Sequence, residues 1–528
     1  MRVATATLPA AKPRAVVVGG GWAGFGAAWN LSKTGGFGVT LVDGSPDPGG
    51  VAGKLGESSI ELGVKGCWRH YGNIRRLLDN ELELPVRDIY NDFSETAFYS
   101  KRGLEVVAPV FGELPRLPAP LGTLVYSLNK FTELPINERL TAFPLTQALL
   151  EFDLDEESYS AYDSLSFEAL CKRAKVSDAL YDTFLAPILL ALLFVPPKDL
   201  SAAAALSVLS NYALSHQSDF DVQWPRVPPS EIFLKWKRLL EESRGAKFLN
   251  STFVRRVLLS DNGKEVRGVE IDDGSGSTRE LGAEVVVLAA GANAMPKIVT
   301  ASGLESIRGL QRVHELSCSA VTATRFEIDG EPMPLRYPSN VWSTGGEVAG
   351  TFYDIGALRG GRPGVVLEVD TYNAADLLGL SDGDLESRGR EVLSLENSAY
   401  GTSSGRVQAT ARVRNAALRW TPGSHGATPQ LSPEGAPRGL LVAGDLVRNG
   451  PGDFGSHLGA RGLSQEKSLV TGLRAGMVAA EAFLGKDASR LIKPPLHVEP
   501  DEPHISAAKA ALTKARASGL LPNNLFIH

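Results

Sequence analysis

The chain has 528 residues, 43% of them hydrophobic and 22% charged, with a formal net charge of -6. This is an ordinary globular balance, long enough for about two to four domains or one large interwoven pair, and it argues against a nucleic-acid binder with a basic face. Its three cysteines, Cys67, Cys171 and Cys318, are far apart and odd in number, which excludes a disulfide framework or zinc ribbon and points to a reducing compartment.

The N-terminal segment has no signal-peptide apolar core, and no intact transit peptide is visible. Ala15 to Val18 is an apolar, β-branched run that reads as a buried parallel strand. Gly19-x-Gly21-x-x-Gly24 follows at once, then a helical stretch, then a second strand, GVTLVD, ending at Asp43. Strand, glycine turn, helix, strand and acid in this register predict a Rossmann-like dinucleotide site. Gly19 permits the tight turn, Gly21 lets the backbone approach a pyrophosphate, and Gly24 lets helix and strand pack closely. The helix N-terminus faces the phosphates, and Asp43 accepts hydrogen bonds from the ribose hydroxyls.

After Asp43 the chain reads GSPDPGG, and there it resembles the large FAD-dependent superfamily of amine oxidases, protoporphyrinogen oxidases and carotenoid desaturases. The resemblance implies FAD as cofactor, with Gly49 and Gly50 letting the backbone pass close to its phosphates. The next stretch, ELGVKGCWRHYGN (residues 61–73), matches the desaturase pattern at Glu61, Gly63, Tyr71 and Asn73, which implies a wall against the flavin. Lys65 stands where desaturases tend to have His and is the candidate catalytic residue; the alternative is a solvent-facing lysine. Cys67 and His70 are not expected to form a catalytic pair, because they point to different sides and neither has a third partner in sequence.

Asp153 to Asp163 is an acidic run expected to be a solvated loop before a helix capped near Ser166. Phe184 to Pro197 (FLAPILLALLFVPP) is apolar but too short to cross a membrane. It reads as a buried core helix, with a monotopic patch or an apolar tunnel lining as alternatives. The region from about residue 145 to 240, including this helix pair and a Trp-Pro turn at Trp224-Pro225, resembles plant-type phytoene and zeta-carotene desaturases. It is also similar to aryl-carotenoid synthases, as is RWTPGSHGATP (residues 419–429).

A β-hairpin is predicted around Asn262-Gly263, then a buried strand ending at Ala289-Ala290-Gly291. By resemblance this segment returns to the nucleotide, with the Val254 backbone against adenine and Ala290 at the cofactor. Gly401 to Gly405 fits a hydrolase G-x-S-x-G pattern, but no buried strand precedes it. RGLLVAGDLVR (residues 438–448) then reads as an apolar strand ending at Gly444-Asp445. The resemblance implies that Asp445 meets the ribityl or pyrophosphate region, and that Gly472 lies in the turn that opens the last helix beside the flavin. His497 and His504 lie in an acidic, Pro-rich tail, where a solvated loop rather than a metal site is expected, before an Ala/Lys helix stopped by Gly519.

The expected fold class is α/β: a Rossmann-like FAD/NAD(P)-binding domain interwoven with an α+β substrate domain and a helical insertion. The expected boundaries are 14–80, 241–300 and 436–485 for the FAD domain, 81–240 and 301–435 for the substrate domain, and 486–528 for the tail. The resemblance implies an FAD-dependent oxidoreductase acting on an apolar polyene, as a carotenoid desaturase passing electrons to a quinone. An aryl-carotenoid synthase, a carotenoid isomerase, an amine or protoporphyrinogen oxidase, and a non-catalytic flavin-binding assembly factor stand as alternatives. A peripheral membrane contact in a plastid or bacterial cytoplasm is expected, with no nucleic-acid partner and no metal.

Overall fold

A computed structural model describes residues 12–52, 60–61, 65–127, 130–402, 405–448, 465–496 and 499–527, apart from the side chains of Ala213 and Leu214. Gly63, Ser403 and His497 lie outside the described residues.

Two β-sheets organise the chain. The first is a five-stranded parallel sheet in the spatial order Leu440–Val442, Val285–Leu288, Arg14–Val18, Gly38–Val42 and Lys247–Leu249. Its inner strands are nearly continuous Val and Leu because both faces are covered, one by helices Trp22–Lys33 and Gln465–Leu484 and the other by the antiparallel strands Phe253–Leu259 and Val266–Asp272. Helix Trp22–Lys33 packs against the long helix Gln465–Leu484, and Gly472 sits at the crossing. A Cβ at Gly472 would stand 2.0 Å from the Ala23 carbonyl oxygen. Gly472 is therefore the point of closest helix packing, in mid-helix, and not part of a turn beside the flavin. The hairpin of Phe253–Leu259 and Val266–Asp272 forms around Gly263, with φ of 68°.

The second sheet has seven strands, drawn from residues 96–108, 318–372 and 405–418. Helix Ala186–Leu193 lies over its strands Ser339–Ser343 and Ala349–Asp354. Asp153 to Asp163 is not a loop: Asp155 caps a helix over Glu156–Asp163 by accepting from the Ser158 N–H at 2.7 Å. Ser166 caps the next helix, as expected. Trp224-Pro225 is not a turn but the end of strand Val222–Pro225, which pairs with Cys67–Trp68 and with Tyr90–Ser94.

The tail docks on the rest of the fold. Helix Pro503–Ala517 is held by Lys509 on Asp153 (2.9 Å) and by Arg516 on Ser158 (2.9 Å). Glu151 accepts the backbone N–H groups of Asn524 and Leu525. No described helix is long and apolar enough to cross a membrane.

Candidate functional site

A cavity of about 490 Å3 lies between the two sheets. Its nucleotide half is built by local sequence. Gly19 has φ of 111°, and a side chain there would stand 2.2 Å from the Ala289 carbonyl oxygen. A Cβ at Gly24 would meet the Gly19 carbonyl oxygen at 1.7 Å, so Gly24 serves packing and stays off the cavity. Gly21 opens the helix with no side-chain cap, and Trp22 and Ala23 of its first turn line the cavity. Their backbone N–H groups are thus placed for an anion. The Gly49 N–H donates to the Gly20 carbonyl at 2.7 Å, which folds the Gly49-Gly50 pair over the same turn. Asp43 accepts from the N–H groups of Gly20 and Ser45 (2.6 Å for Ser45). Burial pushes its carboxyl upward, against those two hydrogen bonds.

Three later segments close this half. Ala290 precedes helix Gly291–Ala301, whose first residues line the cavity. Gly444 and Asp445 follow strand Leu440–Val442 and face the same space. Gln465 and Ser468 reach it from the start of the last helix. Val254 lies off the lining, on the strand that follows Thr252, whose N–H bonds the Asp43 carbonyl at 2.9 Å. A glycine turn that leaves no room for a Cβ at Gly19 or Gly24, an uncapped helix N-terminus and a ribose-spaced carboxylate together fit a dinucleotide.

The other half is apolar and aromatic. Ile188, Ala191 and Leu192 project into it from helix Ala186–Leu193, so the short apolar run is both a core helix and a cavity wall. Trp68, Tyr71, Phe98, Tyr212 and Phe220 complete that side. His70 and Cys67 do not meet: His70 bonds the Asp219 carbonyl and the Asn211 amide, while burial pushes the Cys67 thiol up to about 12. Cys67 lies off the lining, and the described residues contain no cluster able to hold a metal. Gly401 ends a short 3-10 turn rather than a strand, so the hydrolase elbow context is missing there.

Lys65 lies on the cavity wall, and it is neither solvent-facing nor alone. It is 5% exposed, bonded to Glu368 and to Asp370 (2.8 Å), with its ammonium 4.5 Å from the centre of the Tyr353 ring. Strand register explains the grouping. Arg325, Glu368 and Tyr353 are direct cross-strand neighbours, as are Asp370 and Thr351. Alternate residues share a sheet face, so Glu368, Asp370 and Tyr372 point the same way. Tyr372 meets Thr351 at 2.7 Å, and Thr351, Tyr353 and Tyr372 all line the cavity. Burial pushes the Asp370 carboxyl up to about 6, opposed by Lys65 and reinforced by Glu368. Burial also works against the charged form of Glu368, but Lys65 and Arg325 prevail and hold it below its ordinary range. Two cations balance two carboxylates, as a buried ionic group requires. The only sequence sign of this group was the pair of acids spaced by two in VLEVDTY (residues 366–372).

This fold and this cradle define a Rossmann-type dinucleotide-binding protein, and comparison with known proteins gives its family. Residues 22–445, well over half the chain, match the model of the flavin containing amine oxidoreductases. The chain belongs to that family; its cofactor is FAD and it is an FAD-dependent oxidoreductase. A carotenoid phi-ring synthase from Chlorobaculum tepidum is 28% identical over 181 residues, covering 33% of this chain and 27% of that protein. The chain thus matches only about a quarter of that curated relative's length. Among solved structures, cyclohexylamine oxidase from Brevibacterium oxydans superimposes with a TM-score of 0.60 at 14% identity, covering 92% of this chain and 100% of that one. An oxidoreductase from Methanosarcina mazei gives 0.57 at 15% identity, covering 87% and 99%. These likenesses establish the fold alone.

Proposed function

We propose that this oxidoreductase acts on an apolar polyene, as a carotenoid desaturase. The observation that carries the reading is the substrate half of the cavity, with aliphatic and aromatic walls. A polyene needs such a dry slot and few polar anchors. Lys65 is the single formally charged side chain among the described lining residues of that half, and it is a cation. Its charge is already met by Glu368 and Asp370, and the described lining of that half offers no carboxylate to hold a protonated amine, which favours a polyene over the substrates of amine oxidases.

Bound FAD supplies a two-electron acceptor for a hydride from an allylic carbon. The cation left on a polyene is delocalised, so loss of the neighbouring proton needs no strong base. The chain's own residues act by holding the polyene and excluding water. The rings of Tyr353, Tyr372 and Phe194 give the cavity an electron-rich wall suited to a passing positive charge, with Phe194 and Tyr372 centred 4.1 Å apart.

The reading extends to partners. A quinone takes the electrons onward, and a membrane surface supplies the substrate. Leu121, Leu124, Ile136 and Leu140 on two short helices, and Phe143 in the turn after the second, are each more than half exposed. An aromatic series, Phe131, Phe184 and Phe98, runs from these helices to the cavity with ring centres 5.2 and 5.9 Å apart. Three free thiols suit a reducing compartment, either a plastid or a bacterial cytoplasm. The phi-ring synthase match supports a second reading, an aryl-carotenoid synthase, in which the same cavity holds a carotenoid end ring.

The test is anaerobic. Holoenzyme mixed with linear carotenes in vesicles is expected to bleach its flavin absorbance and yield a product with a longer conjugated system. Bleaching by primary amines with none by any carotene would overturn the proposal. Flavin bleaching and end-ring conversion with a cyclic-ended carotene, without bleaching by linear ones, would select the second reading.

A further inference from the structure

Three hydroxyls meet on the part of the cavity wall that the seven-stranded sheet provides. Thr351 and Tyr353 lie two apart on strand Ala349–Asp354 and so share a sheet face, and Tyr372 ends the neighbouring strand Val366–Tyr372. The Thr351 and Tyr372 hydroxyls are 2.7 Å apart, and the Tyr353 hydroxyl hydrogen-bonds to both. The three residues are 7%, 1% and 1% exposed, and all three line the cavity. Phe194, Trp224 and Val341 flank them on the lining. The Phe194 ring lies against Tyr372, the Trp224 ring is centred 5.2 Å from that of Tyr353, and Val341 is the cross-strand neighbour of Thr351.

Packing alone does not call for these hydroxyls. Val and Phe would fill nearly the same space as Thr and Tyr, and a buried hydroxyl is costly unless it is hydrogen-bonded. Each hydroxyl carries one proton and two lone pairs, so a closed trio uses all three protons and leaves three lone pairs open. The cluster is also neutral. Burial lifts the tyrosine hydroxyls well above their ordinary range, so both stay protonated. Lys65, whose ammonium lies over the Tyr353 ring, is already met by Glu368 and Asp370. A carboxylate or phosphate therefore finds no open charge at this wall. An alcohol suits it, because its proton takes one of the open lone pairs while its oxygen accepts a proton from the ring. A ketone accepts only, and it would leave those lone pairs as they are.

We propose that Thr351, Tyr353 and Tyr372 form a binding subsite for an alcohol group of the substrate, so that the polyene taken by this enzyme is a hydroxylated one. A few placed polar groups in an apolar slot fix a ligand's orientation. An otherwise uniform hydrocarbon chain can slide along such a slot, whereas one anchored hydroxyl sets which of its carbons faces the cofactor half. The inference deepens the polyene reading and rests on it.

The test compares two probes, a linear carotene and the same carotene carrying one terminal hydroxyl. Each is titrated in detergent micelles into the full-length holoenzyme, and binding is followed by quenching of tryptophan fluorescence, since Trp68 and Trp224 line the cavity. The wild type is expected to bind the hydroxylated carotene about tenfold more tightly, the scale of one net buried hydrogen bond. Thr351→Val is expected to bring that ratio close to one, while Thr351→Ser, which keeps the hydroxyl, is expected to keep the preference. Tyr372→Phe retains the ring and serves if Thr351→Val does not fold; it too is expected to lose the preference. Equal affinity for the two carotenes in the wild type would overturn the subsite and leave the polyene reading standing, whereas binding of neither would sink both. A preference that survives in Thr351→Val and Tyr372→Phe would also overturn the proposal. So would its loss in Thr351→Ser, which would assign the effect to packing.

Discussion

Lys65 is a buried cation on the cavity wall. It shares its burial with Glu368, Asp370 and Arg325, all at most 5% exposed. Truncating one member of such a group leaves a buried charge without its partner, which costs about 3–5 kcal/mol. Lys65→Met is therefore expected to lower unfolding free energy by about that much in urea, and the double change with Asp370→Asn to recover most of it. Asp370 sits at about 6, above its ordinary carboxylate range, so the folded chain binds its proton more tightly than the unfolded chain does. Its contribution is fully present below the ordinary range and is lost as pH rises to about 6. Lys65→Met is expected to extend that loss to higher pH, visible in urea midpoints across a pH series. At this scale the local residues were legible. Gly19, Gly21, Gly24 and Asp43 act within one strand–helix–strand unit, so their spacing is their geometry. The partners of Lys65 stand about 300 residues away, and no local pattern says which face of their strand meets it.

At the scale of elements, misreadings came from composition that serves two purposes. The run at Asp153–Asp163 looked like a solvated loop because it is acidic. Acids in a first turn also complement a helix N-terminus, and Glu156 and Glu157 do so behind the Asp155 cap. Gly472 looked like a turn residue, yet its missing side chain lets two helices touch. Gly472→Val is expected to push helix Gln465–Leu484 off helix Trp22–Lys33, costing about 2 kcal/mol or more and releasing FAD on dilution. The loss is measurable as free flavin after gel filtration. His216 ties the tail to the fold: its ring meets Asp219 at 2.8 Å and the Pro500 carbonyl at 3.0 Å. Burial disfavours its charge, but Asp219 prevails and lifts it to about 8. A raised histidine stabilises below its ordinary value near 6.5, and that stability is lost as pH rises through about 8. Protease cleavage near residue 500 is expected to quicken above about pH 8, and His216→Ala to give the fast rate already at neutral pH.

Over the whole molecule, the cavity is a product of two sheets that sequence order does not separate. Parallel Val-rich strands announced the first sheet. The seven-stranded sheet was hidden because its strands come from three separated stretches and pair across more than 200 residues. The apolar run at 184–194 was legible as a core helix, but its place on the cavity wall depended on which sheet it covered. The tail contributes nothing to the described cavity lining while spanning several surface elements. Deletion of residues 486–528 is therefore expected to keep one FAD per chain, read from flavin absorbance, while lowering the melting temperature.

The five strands of the parallel sheet also carry a timetable. Its central strand is made first, at residues 14–18, but an outer strand arrives only at 440–442, and the helix that covers it ends at 484. During synthesis the glycine cradle exists for most of the chain's length without the Gly444–Asp445 turn that faces it. The nascent protein must keep Val-rich strands from pairing elsewhere over some 400 residues of elongation. A complete FAD cradle therefore forms only after the chain has been made through the helix that ends at 484, and FAD bound to it then stabilises the folded form over the unfolded one.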